Sequence, residues 1–140
     1  MSWEAYIDSL KGPDSSGTCP VEEAAIWGNN PMSVWATTPG LSTITLEEIK
    51  MLCGDRKSFQ MCGPSIGGKK CFVLKDEMDE DGMHVLNLKT TKDNDGNAYL
   101  ISVGKAKTCL IIARGTKDAK GGQVCNKVQS ITNYLWNSGM

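Results

Sequence analysis

The chain has 140 residues, 40% of them apolar and 22% charged, with a formal net charge of −1. That length suits one domain over 1–140 with its own core, and the charge balance argues against nucleic acid as a partner. No stretch is apolar enough to span a bilayer and no basic-then-apolar leader or lipidation motif is visible, so a cytoplasmic protein is expected.

Trp3, Tyr6, Ile7 and Leu10 recur at helical spacing, with Ser2 as a cap and Gly12-Pro13 as a stop, and predict an opening helix. "SVWAT" (33–37), bounded by Pro31 and Pro39, reads as a strand. In "TLEEIKMLCG" (45–54), Thr45 and Glu48 make a capping box, Leu46, Ile49 and Cys53 a stripe, and Gly54 a terminator. From Phe59 the apolar period changes to two. "SFQMC" (58–62), "KCFVLKD" (70–76), "MHVLNLKT" (83–90), "AYLISVGK" (98–105) and "KTCLIIAR" (107–114) are candidate strands. Gly63-Pro64, "DEDG" (79–82), "DNDG" (93–96) and a tight Gly104–Lys107 link separate them. Links this short cannot hold crossover helices, so the strands form an antiparallel meander. Val124, Val128, Ile131 and Leu135 mark a last helix. The fold class is α+β: a central antiparallel sheet, the two terminal helices together on one face and a short helix on the other.

"GPSIGGKK" (63–70) nearly matches a phosphate-binding loop. Lys70, however, stands where a magnesium-holding Ser or Thr belongs, and a strand follows instead of a helix. The stretch reads as a glycine-rich hairpin, and a small P-loop enzyme remains the less favoured alternative. "DNDG" and "DEMDEDG" lack the ligand set of a calcium loop and read as acidic turns. His84 is the only histidine and falls in a predicted strand, so no catalytic set assembles around it, no metal site is expected and no cofactor is implied. Cys19, Cys53, Cys62, Cys71, Cys109 and Cys125 form no C-x-x-C pair and are expected as free, mostly buried thiols.

The aromatics are concentrated at the termini: Trp3 and Tyr6 in one, Tyr134 and Trp136 in the other. Trp3, Tyr6, Trp35 and Tyr134 could furnish a groove for a polyproline II ligand, the rings gripping pyrrolidines while ring N–H and O–H groups reach ligand carbonyls. Spacing alone favours Trp3 and Tyr6 as the buried face of a helix over a groove.

"SWEAYIDSL", "AAIWG", "SVWATTPG", "GGKKCFVLKDE" and "GGQVCNKV", in this order and spacing, resemble the profilin family over essentially the whole chain. The resemblance implies a non-catalytic, cytoskeleton-associated monomer that binds monomeric actin, proline-rich segments of actin-assembly factors and anionic phosphoinositides, and speeds nucleotide exchange on actin. It implies a proline-binding groove of Trp3, Tyr6, Trp35, Tyr134, Leu135 and Met140, with Trp27 in the core and Trp136 unassigned. It implies an actin face of Lys70, Phe72, Val73, Lys75, Lys89, Lys120, Gly122 and Lys127, on the other side of the molecule. Phe72 stands where a small residue is common, Cys125 where Asn is familiar, and Gln129 and Ser130 where an aromatic and an acid are; these departures bear on actin affinity. A proline-binding module with little actin affinity is the alternative. The second half of the chain is rich in lysine, and Lys105, Lys107, Arg114 and Lys117 are candidates for a weak, salt-sensitive phosphoinositide contact.

Overall fold

A computed structural model describes residues 3–29, 32–54, 63–80, 82–120 and 122–140; the strand expected at 58–62, the Ser2 cap and Cys62 lie outside them. The elements in chain order are α1 (Trp3–Lys11), β1 (Val21–Asn29), β2 (Met32–Thr37), a 3-10 turn (Pro39–Leu41), α2 (Leu46–Cys53), β3 (Ser65–Ile66), β4 (Lys69–Glu77), β5 (Val85–Thr90), β6 (Leu100–Lys105), β7 (Cys109–Gly115) and α3 (Gln123–Asn137). Among the described residues the strands form one antiparallel sheet in the order β2-β1-β7-β6-β5-β4-β3. The expected meander is its β4-to-β7 portion.

No alternation marks β1 in the sequence, and its position explains why. It lies between β2 and β7, and Ala24–Gly28 is buried throughout, so neither face needs polar residues. The glycine-rich stretch is the expected hairpin: Ser65 pairs with Lys70 and Ile66 with Lys69. Gly67 and Gly68 both carry positive φ, 62° and 81°, which a two-residue turn of this hand requires. Other expectations move. β6 runs through Gly104 to Lys105, so the link to β7 is at 106–108. His84 lies just before β5, not in it, with φ 53°. In α2 the buried residues are Ile49 and Leu52, whereas Leu46 is 37% exposed.

Two cores sandwich the sheet. Trp27, Ile49, Leu52, Leu86, Leu88, Ile101, Val103, Leu110 and Ile112 are buried on the α2 side. Ile7, Leu10, Ile26, Val85, Ile111, Val124, Val128 and Leu135 are buried on the other, where α1 and α3 lie. Residues of β5, β6 and β7 alternate between the two faces; Asn87, Lys89 and Ser102 give β5 and β6 their period-two signal, while β7 is a continuous apolar run that feeds both cores. α3 sits close on the sheet because Gly104 offers no side chain beneath Val128 and Thr132. Thr132, not the half-buried Ile131, completes the buried stripe. Of the described cysteines only Cys71 and Cys109 are buried; Cys19 is exposed, and Cys53 and Cys125 are half-buried.

Candidate functional site

α1 and α3 run antiparallel. Tyr6 faces Tyr134, while further along α1 the Ser9 carbonyl accepts from Lys127 Nζ at 3.1 Å. Trp3 and Tyr6 are one helical turn apart, so their rings share a face of α1, 5.3 Å between centroids. Trp35 joins them from β2. Ile26 pairs with Ala36 but Trp27 pairs with Val34, so Trp35 is the extra residue of a β-bulge. A bulge re-aims its extra side chain. The indole turns onto the helix side, where a Cβ on Gly28 would meet it at 2.5 Å, and it rests 4.6 Å from Trp3. Tyr134 follows Tyr6 at 6.4 Å. The result is a row, Trp35–Trp3–Tyr6–Tyr134, with Trp35 36% and Tyr134 56% exposed. Rings this open offer flat apolar faces and polar edges to a ligand.

Leu135 does not join the row's surface. It is 1% exposed and belongs to the core beneath, so it supports the groove rather than touching a ligand. The Met140 carbonyl accepts from the Thr108 N–H and hydroxyl, and its N–H donates to the Leu135 carbonyl at 2.9 Å, which fixes the end of α3 to the β6–β7 link. Trp136 faces away from the row. Its ring stacks on His84 at 4.0 Å with Lys107 Nζ 5.6 Å from its centroid, so His84 is a packing residue.

The second candidate surface lies on the same sheet face, beyond α3. Phe72 pairs with Lys89 and Lys89 with Leu100, so these three side chains point to one side, with Lys70 alternating onto it; the register shift between Val73 and Lys75 makes Leu74 the extra residue and puts Lys75 opposite Asn87 on that side. Leu74, Lys75, Asn87, Leu100, Ser102, Gly122, Val124 and Cys125 line a groove of about 230 Å³ there. Phe72 is 46% exposed. Two expected members fall elsewhere. Val73 points the other way and packs on the α2-side core. Lys127 spends its ammonium on the Ser9 and Pro13 carbonyls, both at 3.1 Å, at the end of α1, where a cation offsets the helix dipole. Lys120 is exposed in the loop before α3. Leu74, Asn87, Leu100 and Ser102 were missed in the sequence, although alternation along β5 from Lys89 reaches Asn87; Leu74 depends on a register shift, and Leu100 and Ser102 on the pairing of β6 with β5.

The four weaker basic candidates do not form one patch. Lys105 ends β6 and Lys107 lies in the β6–β7 link, but Arg114 is opposite Ile101 at the other end of the hairpin. It faces the α2 side, 5.3 Å from the Tyr99 ring and 3.5 Å from Glu22, and Lys117 follows beyond it.

The phosphate-loop alternative also meets a physical obstacle. The Gly67 and Gly68 amides that would cradle a phosphate already donate to Glu48, at 2.9 and 3.0 Å. The protein's own carboxylate occupies the nest. Asp93 is used the same way in its turn: the N–H of Asn97, then that of Asp95, holds its carboxyl below the usual value. Burial raises the Cys71 and Cys109 thiols to about 11, far from nucleophilic.

A family model described as Profilin matches residues 1–140. The chain belongs to the profilin family. Human profilin-1 is 34% identical over 140 residues, covering 97% of this chain and 96% of that protein. Among solved structures, mouse profilin IIa in complex with a double repeat from the FH1 domain of mDia1 superposes with a TM-score of 0.88 at 33% identity, covering 100% of each chain. Acanthamoeba castellanii profilin IB, at 20% identity, shares the profilin fold with a TM-score of 0.74 over 99% of this chain.

Proposed function

We propose that this chain is a cytoplasmic, non-enzymatic actin regulator that holds monomeric actin and a proline-rich ligand at separate surfaces. The ring row carries the reading. A polyproline II helix is preformed and keeps its carbonyls free. It lies on Trp35, Trp3, Tyr6 and Tyr134 with little loss of entropy, while indole N–H and phenol O–H groups donate to it. A family relative, mouse profilin IIa, has been solved with a double repeat from the FH1 domain of mDia1.

Actin docks on the flank beside α3, where Phe72, Leu74 and Leu100 supply apolar area and Lys70, Lys75, Lys89 and Lys120 supply charge. Nucleotide exchange follows if the bound form of actin has the more open cleft, because preferential binding shifts that population. No residue of this chain needs to touch the nucleotide. Lys105 and Lys107 give phosphoinositides a weak contact that salt suppresses.

The inward Val73 and the occupied Lys127 favour one rival, a proline-binding module with little actin affinity. Retention on immobilised polyproline, followed by a pyrene-actin assembly assay on the eluted protein, separates the two. Retention with sequestration supports the full reading; retention without it supports the rival. A folded Trp3→Ala variant that is still retained removes Trp3 from the groove.

A further inference from the structure

We infer that a recess on the α2 side of the sheet binds a small organic carboxylate, one negative charge on a compact aliphatic body. The recess, about 120 Å³, opens among the 3-10 turn, the β3–β4 hairpin and strands β5 to β7. Three of its lining residues, Leu41, Ile66 and Ile101, are buried and apolar and make its floor. Two cations line it as well, Arg114 from β7 and Lys69 from β4. The Tyr99 ring lies 5.3 Å from the guanidinium and completes the wall. No ring of the α1–α3 seam contributes.

Arg114 is under-satisfied where it stands. Its Nε is buried with no hydrogen-bond partner among the described residues, an arrangement that costs free energy and that a ligand relieves. Its Nη2 reaches Glu22 Oε1 only at 3.5 Å, longer than the roughly 2.7–2.9 Å of a charge-assisted hydrogen bond. The Glu22 side chain is 46% exposed and free to turn into water. A ligand carboxylate therefore displaces a loose partner and takes the guanidinium in the bidentate mode, with Lys69 as a second charge. The surrounding acids fix the ligand's charge. Glu22 faces Arg114, Asp93 accepts from the Tyr99 hydroxyl, and Glu23 and Glu48 hold the Gly40 and Gly67 amides at the lips. A phosphate dianion meets that negative ring and finds the backbone donors taken, whereas a single charge is matched by Arg114 and Lys69. The volume fixes the body. An apolar cavity of about 150 Å³ holds benzene, so this smaller space fits a branched chain of about four or five carbons.

The test follows the backbone amide resonances of the isotopically labelled full chain during titration with isovalerate, with neutral isovaleramide and inorganic phosphate as controls. Isovalerate should shift Gly40, Gly67, Thr90 and Ile101 saturably, with a Kd of about 1 mM or below, and both controls should bind about tenfold more weakly or worse. Arg114→Gln should weaken isovalerate by about tenfold. Glu22→Gln removes the competing carboxylate and should tighten it by about threefold, which keeps the test decisive if the first variant does not fold. A short peptide with a carboxyl-terminal valine carries the same group: binding tighter than isovalerate assigns the carboxylate to a chain end, and weaker binding assigns it to a free acid. No saturable shift at these amides up to about 20 mM isovalerate overturns the site. So does isovaleramide or phosphate binding as well as isovalerate, or a Glu22→Gln chain that gains nothing.

Discussion

Trp35 reaches the ring row because two residues cooperate across strands. The bulge at Ile26/Trp27 turns the indole over, and Gly28 leaves the space it occupies. Gly28→Ala should therefore displace the ring, since a Cβ would sit 2.5 Å from indole carbons. Polyproline binding should weaken by about tenfold while the far-UV circular dichroism stays native; unchanged binding would mean Trp35 is not part of the groove. The thiols give a second expectation. Burial raises Cys71 and Cys109 from 9.0 to about 11, so at about pH 8 both remain neutral. Above pH 9 the unfolded chain ionises these thiols before the native chain does, so their contribution to stability falls as pH rises from 9 towards 11. Alkylation at about pH 8 should label exposed Cys19 rapidly and Cys71 and Cys109 only in urea. Rapid native labelling of either would mean that its neighbourhood opens. Sequence spacing was enough to pair Trp3 with Tyr6 because one helix sets both. It could not orient Trp35, since a bulge depends on the register of two strands.

At the next scale, α2 shows how one carboxylate joins elements. Thr45 Oγ1 accepts from the Glu48 N–H at 3.2 Å, and Glu48 Oε1 accepts from the Thr45 N–H at 2.9 Å, completing the capping box. The same carboxylate binds the two glycine amides of the β3–β4 turn. Thr45→Ala removes one acceptor and should cost about 1 kcal/mol in urea unfolding. Glu48→Ala removes the partner of several amides in two elements and should cost about 2–3 kcal/mol. Equal losses would show that the hairpin contacts contribute nothing. The capping box was legible because its two residues are three apart. Its link to the turn was not, because that joins Glu48 to Gly67 and Gly68 through tertiary packing. β1 escaped for a different reason: alternation reports a strand with one wet face, and this strand has none.

For the molecule as a whole, the ring row and the flank groove lie on opposite sides of α3, with no residue common to their linings. Lys89→Glu should weaken actin sequestration by about tenfold or more and leave polyproline retention unchanged. Loss of both would indicate misfolding or a shared site. The fold class could be read early, because helices and alternation are local, but spacing alone favoured a buried helix face for Trp3 and Tyr6, and only the family resemblance implied a groove of four rings. The flank was read only in part. Val73 and Lys127 matched a pattern by position, but strand alternation turns one inward and the end of α1 claims the other.

The placement of β1 beside β7 carries a consequence for synthesis. Gly28 must meet Cys109 and Val21 must meet Gly115, so the seam one strand in from the β2 edge joins the first strand made to the last. A nascent chain cannot close that seam until nearly all of it has left the ribosome, and Ala24–Trp27, able to pair only with β2, waits meanwhile with one edge open and its apolar faces uncovered. Slow translation through the final strands would lengthen that wait, which makes the rate of elongation there a determinant of how much chain reaches the native state.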